Sequence, residues 1–282
     1  IMLILSFDVG IKNLAYCISK YHENKYEIKE WGIINLLKDE IDAQKKCNEC
    51  KKLAKFKTKN KEFYFCQKHK KRLDEYKPFI LKKSDTKFDK CTVEKCKKKV
   101  KYTLNDKKIC ATHKVQLQKE YNDSYKCLKI KHINCKTYPI DNILIKLTTV
   151  FNEKFLHFLL VDKVLIELQP VLKGPKMKTI SNHIYSYFLI NGVCNISLNM
   201  EKVCYINASN KLKIFKENEQ RDLKKYSERK KLAIENVNTF LNYIKQDIFK
   251  ILFNKSKKKD DLADALLQTL YYLEKYHNFK IN

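Results

Sequence analysis

The segment from residue 3 to residue 18 constrains the fold of this chain most strongly. Two apolar runs lie on either side of Asp8 and of Gly10, a residue that suits a tight turn. This is the pattern of a β-hairpin with an acidic residue in its first strand. Because side chains alternate along a strand, Phe7 points to the face opposite Asp8. A carboxylate on a buried strand needs a partner or a metal ion, although most Asp-x-Gly triplets simply open a turn.

A second acidic residue, Glu167, stands at the end of another apolar segment. Residues 164–166 predict a short buried strand, which Pro170 ends. Functional sites gather at the carboxyl ends of strands in open α/β sheets. The alternative is an exposed Glu that only marks the end of the strand.

Three further acids open the last helix that the sequence predicts. Asp260 or Asp261 can serve the helix N-terminus, where negative charge is favourable. Asp264 lies in a strongly apolar stretch and shares a helix face with Asp261, three residues away. Two carboxylates on one face repel each other unless a cation lies between them or one is protonated.

Asp8, Glu167, Asp261 and Asp264 would together form an oxygen-rich site of the kind that Mg²⁺ or Mn²⁺ prefers. Two such ions can activate water and stabilise the leaving oxygen in phosphodiester cleavage. The chain has 59 Lys and Arg against 32 Asp and Glu, a net charge of +27, which favours a nucleic-acid partner. Lysine enrichment from AT-rich coding is a rival explanation for this charge. We interpret the combination as a metal-dependent nuclease.

A repeated pattern of cysteine and histidine lies in a lysine-rich segment from about 45 to 132. Each copy has two cysteines, a gap of 13 or 15 residues, and then Cys-x2-His. The copies contain Cys47, Cys50, Cys66 and His69, and then Cys91, Cys96, Cys110 and His113. Such pairs place four ligands around one tetrahedral ion, so we predict two structural Zn²⁺ ions, one in each copy. A cross-braced arrangement, with alternating ligand pairs, is the alternative.

The other cysteines are predicted to bind no metal. Cys127 and Cys135 have irregular spacing, and three more lie in apolar runs that predict core positions: Cys17, Cys194 and Cys204. The close Cys/His pairs indicate zinc rather than disulfides, and therefore a reducing compartment.

The predicted order of elements is three strands, a helix, a strand, a helix, a strand and further helices. This order is the ribonuclease H-like topology, an α/β fold with a mixed sheet flanked by helices. Four motifs also resemble the Holliday junction resolvases of poxviruses: Phe7-Asp-Val-Gly-Ile-Lys-Asn-Leu-Ala, Ile166-Glu-Leu-Gln-Pro, Tyr226-Ser-Glu-Arg-Lys-Lys and Lys259-Asp-Asp-Leu-Ala-Asp-Ala-Leu. Those resolvases are similar to the mitochondrial resolvases of yeasts and to bacterial RuvC. The resemblance covers 2–34 and about 138–276.

The resemblance implies a homodimer that cuts two opposed strands of a four-way DNA junction with Mg²⁺. By motif match, the acidic ligands would be Asp8, Glu167, Asp261 and Asp264, with Asp260 as the competitor for the third place. Candidates for contacts with DNA phosphates are Lys12, Lys173, Lys176 and Lys178.

The Cys/His segment departs from the resolvase pattern, because it interrupts the pattern between the third strand and the next helix. We therefore expect a discontinuous nuclease core, 1–44 with 133–282, and an inserted double zinc-binding domain, 45–132. Its lysine density favours an accessory role in DNA binding, and lysines that are merely solvated are the alternative.

Two other classes of function stay open. One is another ribonuclease H-like nuclease, acting on RNA–DNA hybrids or on other branched DNA. The other is a zinc-finger DNA-binding protein without catalysis, although the presence of all four acids argues against it.

The apolar runs of the sequence also bear on its cellular location. None reaches the roughly 18 residues that a membrane helix needs, and we expect neither a signal peptide nor a membrane partner. The AT-rich composition with a poxvirus-like core indicates a large DNA virus, so we expect an intracellular site, at cytoplasmic viral replication or in the nucleus.

Overall fold

Six ranges of the chain are described by the computed structural model: 1–76, 81–84, 89–104, 107–170, 174–207 and 226–280. The chain divides into two units, the first made of Ile1–Asp39 with Asn134–Asn282 and the second of Glu40–Ile133. Among the described residues, no helix has both the length and the apolar character needed to cross a membrane.

The described ranges contain strands and α-helices with the following bounds. The strands are β1 (Met2–Asp8), β2 (Leu14–His22), β3 (Lys25–Ile34), β4 (Phe56–Thr58), β5 (Tyr64–Phe65), β6 (Leu81–Lys83), β7 (Tyr102–Leu104), β8 (Lys107–Ile109), β9 (Cys127–Lys129), β10 (Lys163–Leu168) and β11 (Lys202–Asn207). The α-helices are α1 (Lys38–Asp42), α2 (Ala111–Ser124), α3 (Ile140–Lys154), α4 (Pro175–Phe188), α5 (Tyr226–Ile244), α6 (Asp247–Lys255) and α7 (Lys259–His277). The helix α6 is not predicted from the sequence pattern.

The first unit is built on a five-stranded mixed sheet with the order β11-β10-β1-β2-β3. The first three strands of the chain pair antiparallel with one another, whereas β10 pairs parallel with both β1 and β11. This is the ribonuclease H-like arrangement, so the predicted fold class is confirmed.

Both turns of the opening strand meander depend on the residues at their centres. At the β1–β2 turn, a Cβ on Gly10 would clash with the carbonyl oxygen of Asn13, so a larger residue does not fit there. At the β2–β3 turn, Glu23 and Asn24 both have positive φ, 46° and 61°. Two consecutive left-handed residues are typical of the tight hairpin turn that matches the twist of paired strands.

The sheet of the first unit is covered on both faces. On one face, the Phe7 ring packs 5.7–5.9 Å from the rings of Phe151 in α3, Phe158, and Phe188 in α4. On the other face, α5 and α7 bury a larger cluster that includes Ile4, Leu165 and most of the apolar residues of α7. Burial of each large apolar side chain contributes about 1.5–3 kcal/mol, so this two-sided core stabilises the unit.

The second unit contains two small antiparallel sheets, with the orders β5-β4-β9 and β6-β7-β8. The strands have only two or three residues each. In the second copy of the Cys/His pattern, the buried cluster consists of Cys91, Leu104, Ile109 and Cys110, so half of it is cysteine.

Of the three cysteines that we predicted in the core, one is placed differently. Cys17 is buried and Cys204 is half-buried, but Cys194 is exposed. The prediction for Cys194 was therefore wrong. Its apolar sequence neighbours belong to a π-helical turn, Leu189–Val193, which ends just before it and leaves the thiol in the loop that follows.

Candidate active site and metal centres

The parallel pairing of β1 with β10 brings the first two acids together. Phe7 lies beside Ile166 in this pairing, so one further step along both strands places Asp8 beside Glu167. Asp8 is the last residue of β1, and Glu167 is the next-to-last residue of β10. Both side chains are half-buried at the carboxyl ends of neighbouring parallel strands.

The alternation of side chains shows which face of the sheet these acids occupy. Phe7 and Ile166 point into the aromatic face with α3 and α4, so Asp8 and Glu167 point to the opposite face. Ser6, on the same side as Asp8, donates a hydrogen bond from its hydroxyl to the carbonyl of Ala265 in α7 at 2.7 Å. Asp8 and Glu167 therefore face α7.

The direction of α7 brings its first turns to the same end of the sheet. Tyr21 pairs with Met2 at the start of β1, and its ring lies 6.0 Å from the His277 ring at the end of α7. Ala265, near the start of α7, meets Ser6 near the end of β1. The helix thus runs antiparallel to β1, and Asp261 and Asp264 lie at the end where Asp8 and Glu167 emerge.

Buried hydrogen bonds from polar side chains attach α7 to the sheet. Besides the Ser6 bond, Thr269 donates from Oγ1 to Ser6 Oγ at 3.0 Å, and Gln268 donates to the carbonyl of Phe7 at 3.1 Å. Trp31 of β3 donates from Nε1 to the carbonyl of Leu262 at 3.1 Å. We did not identify these positioning residues from the sequence, because a single polar residue in an apolar run gives no sign of its partner.

Asp260 and Asp261 are adjacent in sequence but differ in environment. Asp260 forms an ion pair with the Lys230 ammonium of α5. Burial opposes ionisation of Asp260, yet this hydrogen bond and the Lys230 charge lower its pKa. In contrast, Asp261 Oδ2 is buried without a hydrogen-bond partner. Burial raises the pKa of Asp261, and the charges of Asp260 and Asp264 raise it further.

An unpartnered buried carboxylate oxygen is the kind of atom that a cation would stabilise. The four carboxylates share one end and one face of the sheet, and their oxygen donors suit a hard divalent cation. They are more widely spaced than the Cys/His ligands: within the described ranges, three or more potential ligand atoms lie within 4.8 Å of one another in the two Cys/His sets alone.

The first Cys/His set contains Cys47, Cys50, Cys66 and His69. Its Sγ atoms of Cys50 and Cys66 are 3.9 Å apart, and His69 Nδ1 lies 3.5 Å from Cys47 Sγ and 3.6 Å from Cys66 Sγ. For a tetrahedral Zn²⁺ with bonds of about 2.3 Å to sulfur and about 2.0–2.1 Å to nitrogen, these edges would be about 3.8 and 3.6 Å. The geometry therefore fits one tetrahedral ion.

The second set, Cys91, Cys96, Cys110 and His113, has nearly the same dimensions. The Sγ atoms of Cys96 and Cys110 are 4.0 Å apart, and His113 Nδ1 lies 3.2 Å from Cys91 Sγ and 3.5 Å from Cys110 Sγ. Each copy of the repeat supplies one complete set, so the ligands are grouped in chain order and are not cross-braced.

The backbone around these sets favours thiolates, which are the metal-binding form of cysteine. The backbone N–H of His69 lowers the pKa of Cys66. Burial opposes ionisation of Cys110, but the backbone N–H groups of His113 and Thr112 bring the pKa of its thiol down to about 6. Cys127 and Cys135 belong to neither set.

The four candidate DNA-binding lysines have different surroundings. Lys12 is exposed in the turn after β1, and Lys178 is half-buried in the first turn of α4. Lys176 donates to the carbonyl oxygens of Cys135, Lys136 and Tyr138 at 2.6–3.1 Å. All three of its donors are engaged, so its ammonium holds the chain before α3, and we leave it out of the DNA-binding set. Lys173 lies outside the described residues.

Sequence comparison identifies a viral relative of this chain. The chain is 33% identical over 316 aligned positions to the uncharacterized protein L451 of Acanthamoeba polyphaga mimivirus, covering 97% of this chain and 75% of that protein. This chain belongs to the same family as L451. A viral member of the family agrees with the viral origin expected from the sequence. No model of a known protein family matches the chain.

Two solved structures are similar to this L451-family chain at low sequence identity. The yeast mitochondrial Holliday junction resolvase Ydc2 has a TM-score of 0.46 and 15% identity, over 98% of this chain and 83% of that one. The fowlpox virus resolvase, in complex with Holliday junction DNA, has a TM-score of 0.41 and 16% identity, over 97% of this chain and 98% of that one. The strand order, rather than these scores, identifies the fold of the L451-family chain.

Proposed function

We propose that this protein is a metal-dependent endonuclease that resolves four-way DNA junctions by paired nicks in opposed strands. The observation that carries the proposal is the placement of four carboxylates, Asp8, Glu167, Asp261 and Asp264, at one end and on one face of a ribonuclease H-like sheet. The motifs that contain these acids resemble those of the poxvirus resolvases. The net charge of +27 supports a polyanionic substrate.

The four acids fit a site for Mg²⁺ or Mn²⁺, with two ions in each active site. All donors are carboxylate oxygens, and Asp261 Oδ2 is buried without a partner in the described structure. When bound, such ions would supply an activated water and charge stabilisation for the leaving 3′ oxygen. The side chains of this chain would hold and orient the ions, while the buried bonds of Ser6 and Thr269 keep α7 in place against β1.

We assign the third ligand position to Asp261 rather than to Asp260. Asp260 is held by the Lys230 ammonium, so a metal ion would have to displace an existing ion pair to reach it. Asp261 has no such competitor for its buried oxygen.

We also propose that the two Cys/His sets each hold one structural Zn²⁺. Each set is closed by four protein ligands, which leaves no position for a substrate or a reactive water. The ligand spacings match the edges of a zinc tetrahedron.

The proposal includes a homodimer. A four-way junction has two equivalent strands to cut, and one polypeptide of this fold supplies one set of four acids. A twofold dimer would place two such sets in a symmetric relation and allow paired nicks.

The experiment compares a synthetic four-way junction with a linear duplex of the same arm sequences, each with Mg²⁺. We expect symmetric nicks on the junction and an intact duplex. Asp8→Asn should reduce cutting by at least about a hundredfold and keep junction binding, because even outer-shell partners of metal ligands are worth 10- to 100-fold. The matched control is Asp247→Asn, the same change at an exposed acid of α6, which should cut normally.

Other outcomes would redirect the assignment. Equal cutting of junction and duplex would indicate a less selective nuclease, and preferred cutting of an RNA–DNA hybrid would indicate a hybrid-specific one. Cutting of no substrate by the metal-loaded protein, with binding intact, would indicate a zinc-containing DNA-binding protein.

A further inference from the structure

The second unit carries most of the net positive charge of the protein. Glu40–Ile133 contains 29 Lys and Arg against 12 Asp and Glu, which leaves +17 of the total of +27. Part of this charge is neutralised locally, as in the ion pairs of Lys59 with Asp123 and of Lys108 with Asp89. The lysines that remain outside such ion pairs are the candidates for contact with a polyanion.

The two copies of the Cys/His pattern have equivalent backbone bonds, which align their matching segments although the spacing between the ligands differs by two residues at two places. Cys47 donates from its N–H to the carbonyl of Lys52 at 2.8 Å, as Cys91 does to Lys98 at 3.0 Å. Likewise, Lys55 donates to the carbonyl of Phe65 at 2.7 Å, and Lys101 to that of Ile109 at 3.0 Å. Both copies are thus the same small module.

This alignment pairs four exposed lysines of one module with four of the other. The first lysine set is Lys46, Lys51, Lys52 and Lys55, and the second lysine set is Lys90, Lys97, Lys98 and Lys101. The shared bonds at these positions use backbone atoms, which any residue would supply. The module fold therefore does not explain why these side chains are lysine.

The contacts of these side chains do not explain why both modules have lysine at the aligned positions. Within the described ranges, none of the eight lysines forms an ion pair, and Lys98 alone bonds a side chain, donating to Thr112 Oγ1 at 3.0 Å. A fifth matched pair is different, because its role is structural. The Lys70 and Lys114 ammonium groups lie 4.6 and 4.4 Å from the ring centroids of Phe56 and Tyr102, so their stems cover the module.

We infer that the first and second lysine sets are two equivalent phosphate-contacting surfaces, through which the inserted unit binds the backbone of duplex DNA without reading its sequence. The choice of DNA as the polyanion rests on the proposed function. Lysine ammonium groups contact phosphates as mobile point charges, and each phosphate neutralised releases counterions. Two equal surfaces in one unit allow it to hold the backbone at two places.

The test measures binding of the full-length, zinc-loaded protein to a linear duplex at several salt concentrations. One variant changes the four lysines of the first set to Gln, another changes those of the second set, and a third changes all eight. We expect the slope of log K against log salt to fall by about 0.9 for each lysine that contacts a phosphate. The slope should fall by similar amounts in the two four-residue variants, and in the eight-residue variant it should fall by the sum of those two amounts.

The matched control removes the same charge from the first module at positions whose equivalents are not lysine. It changes Lys45, Lys57, Lys68 and Lys71 to Gln; the aligned residues are Asp89, Thr103, Thr112 and Val115. We expect a smaller fall in slope than for the first lysine set. An equal fall in the control would overturn the inference, since net charge alone would then explain binding. If the variant of either lysine set has an unchanged slope, the two surfaces are not equivalent.

Zinc content and far-ultraviolet circular dichroism establish that each variant is folded. If a four-residue variant loses zinc, the same test is made with two substitutions in each set, which remove half the charge. The double variants are Lys51→Gln with Lys55→Gln, and Lys97→Gln with Lys101→Gln. Tighter binding to single-stranded RNA of equal length, with the slope set by the same lysines, would overturn the assignment to duplex DNA.

The binding measurement is independent of cutting, because it is made in the Asp8→Asn background without Mg²⁺. A protein that cuts no junction would refute the proposed function while the lysine variants still decide the inference. Conversely, normal junction cutting with unchanged salt slopes would refute the inference alone.

Discussion

The two units of this chain reach a folded state by different means. In the first unit, a five-stranded sheet is buried on both faces, and its largest fully buried side chains include Phe7, Phe151 and Phe158. In the second unit, strands of two or three residues surround the Cys/His sets, and two of the four buried residues in the second module's cluster are themselves predicted ligands. The first unit is thus stabilised by apolar burial, whereas the second unit, under the proposed zinc binding, would depend on ions that tie its ligands together.

Metal removal is the change that we expect to separate the stabilities of the two units most strongly. Structural Zn²⁺ binding in small domains is worth about 10–16 kcal/mol, so a strong zinc chelator should unfold the second unit and leave the first unit folded. Hydrogen exchange should show loss of protection in β4, β7 and α2, with β1 and α7 still protected.

A single ligand substitution sharpens the same prediction. Cys66→Ser should lower the zinc content from two ions to one, whereas Cys194→Ser, at an exposed cysteine outside both sets, should leave it at two. Retention of both ions by the Cys66→Ser protein would contradict the assignment of this set.

A truncation in the apolar core should destabilise the first unit and leave the second unit unchanged. Phe151→Ala removes a fully buried ring that contacts Phe7 and Phe188, and we expect a loss of about 3–5 kcal/mol from the free energy of unfolding of the first unit. Zinc content should stay at two ions per chain. Urea unfolding followed by the fluorescence of Trp31, which is buried in the first unit, measures the change; equal destabilisation of both units would argue against this contrast.

The smallest expected effects lie in the candidate active site, where adjacent acids should respond in opposite directions. Burial first, and then the charges of Asp260 and Asp264, raise the pKa of Asp261 in the folded protein. Ionisation of Asp261 therefore destabilises the metal-free protein as pH rises through that pKa. Asp261→Asn should raise the melting temperature near neutral pH, and the gain should shrink as pH falls toward the ordinary carboxyl range.

Asp260→Asn is the matched comparison for this effect. The pKa of Asp260 is lowered, since the Lys230 hydrogen bond and charge outweigh burial, so its ionised form stabilises the protein above the ordinary carboxyl pKa. Its loss should cost up to about 1 kcal/mol, because the pair is partly exposed. Thermal melts at pH 4 and pH 7.5 test both variants, and a lower melting temperature for Asp261→Asn at pH 7.5 would contradict the assignment.

Much of the fold could be predicted from the sequence because its signals are local. Apolar runs on either side of a turn predict the first two strands, and the spacing of cysteine and histidine is enough to group each set of four ligands. The hairpin turn at Glu23 and Asn24 has only a weak sequence signal, although both residues adopt positive φ.

The features that sequence reasoning missed depend on contacts between distant residues. Ser6 and Thr269 are 263 positions apart, and nothing in either apolar run shows that their hydroxyls meet. The backbone contacts of Lys176 were missed for the same reason, because its three carbonyl partners lie about 40 residues earlier in the chain. The clustering of the four acids could be predicted from their chemistry and from the resemblance, but the strand register and helix direction that bring them to one end of the sheet are seen only in the structure.

The attachment of α7 to β1 has a consequence for the order of events during synthesis. The ligands of the first Cys/His set are complete once His69 has emerged, but the Ser6–Ala265 bond must wait for the last helix. At about 5–20 residues per second, roughly 10 to 40 s separate these two points on the ribosome. With the proposed zinc sites, the second unit would bind its ions and fold during this interval, while Asp8 still lacks Asp261 and Asp264. Under the two proposals made above, a nascent chain would therefore hold DNA before it could cut it, and cutting would begin only when translation has delivered α7.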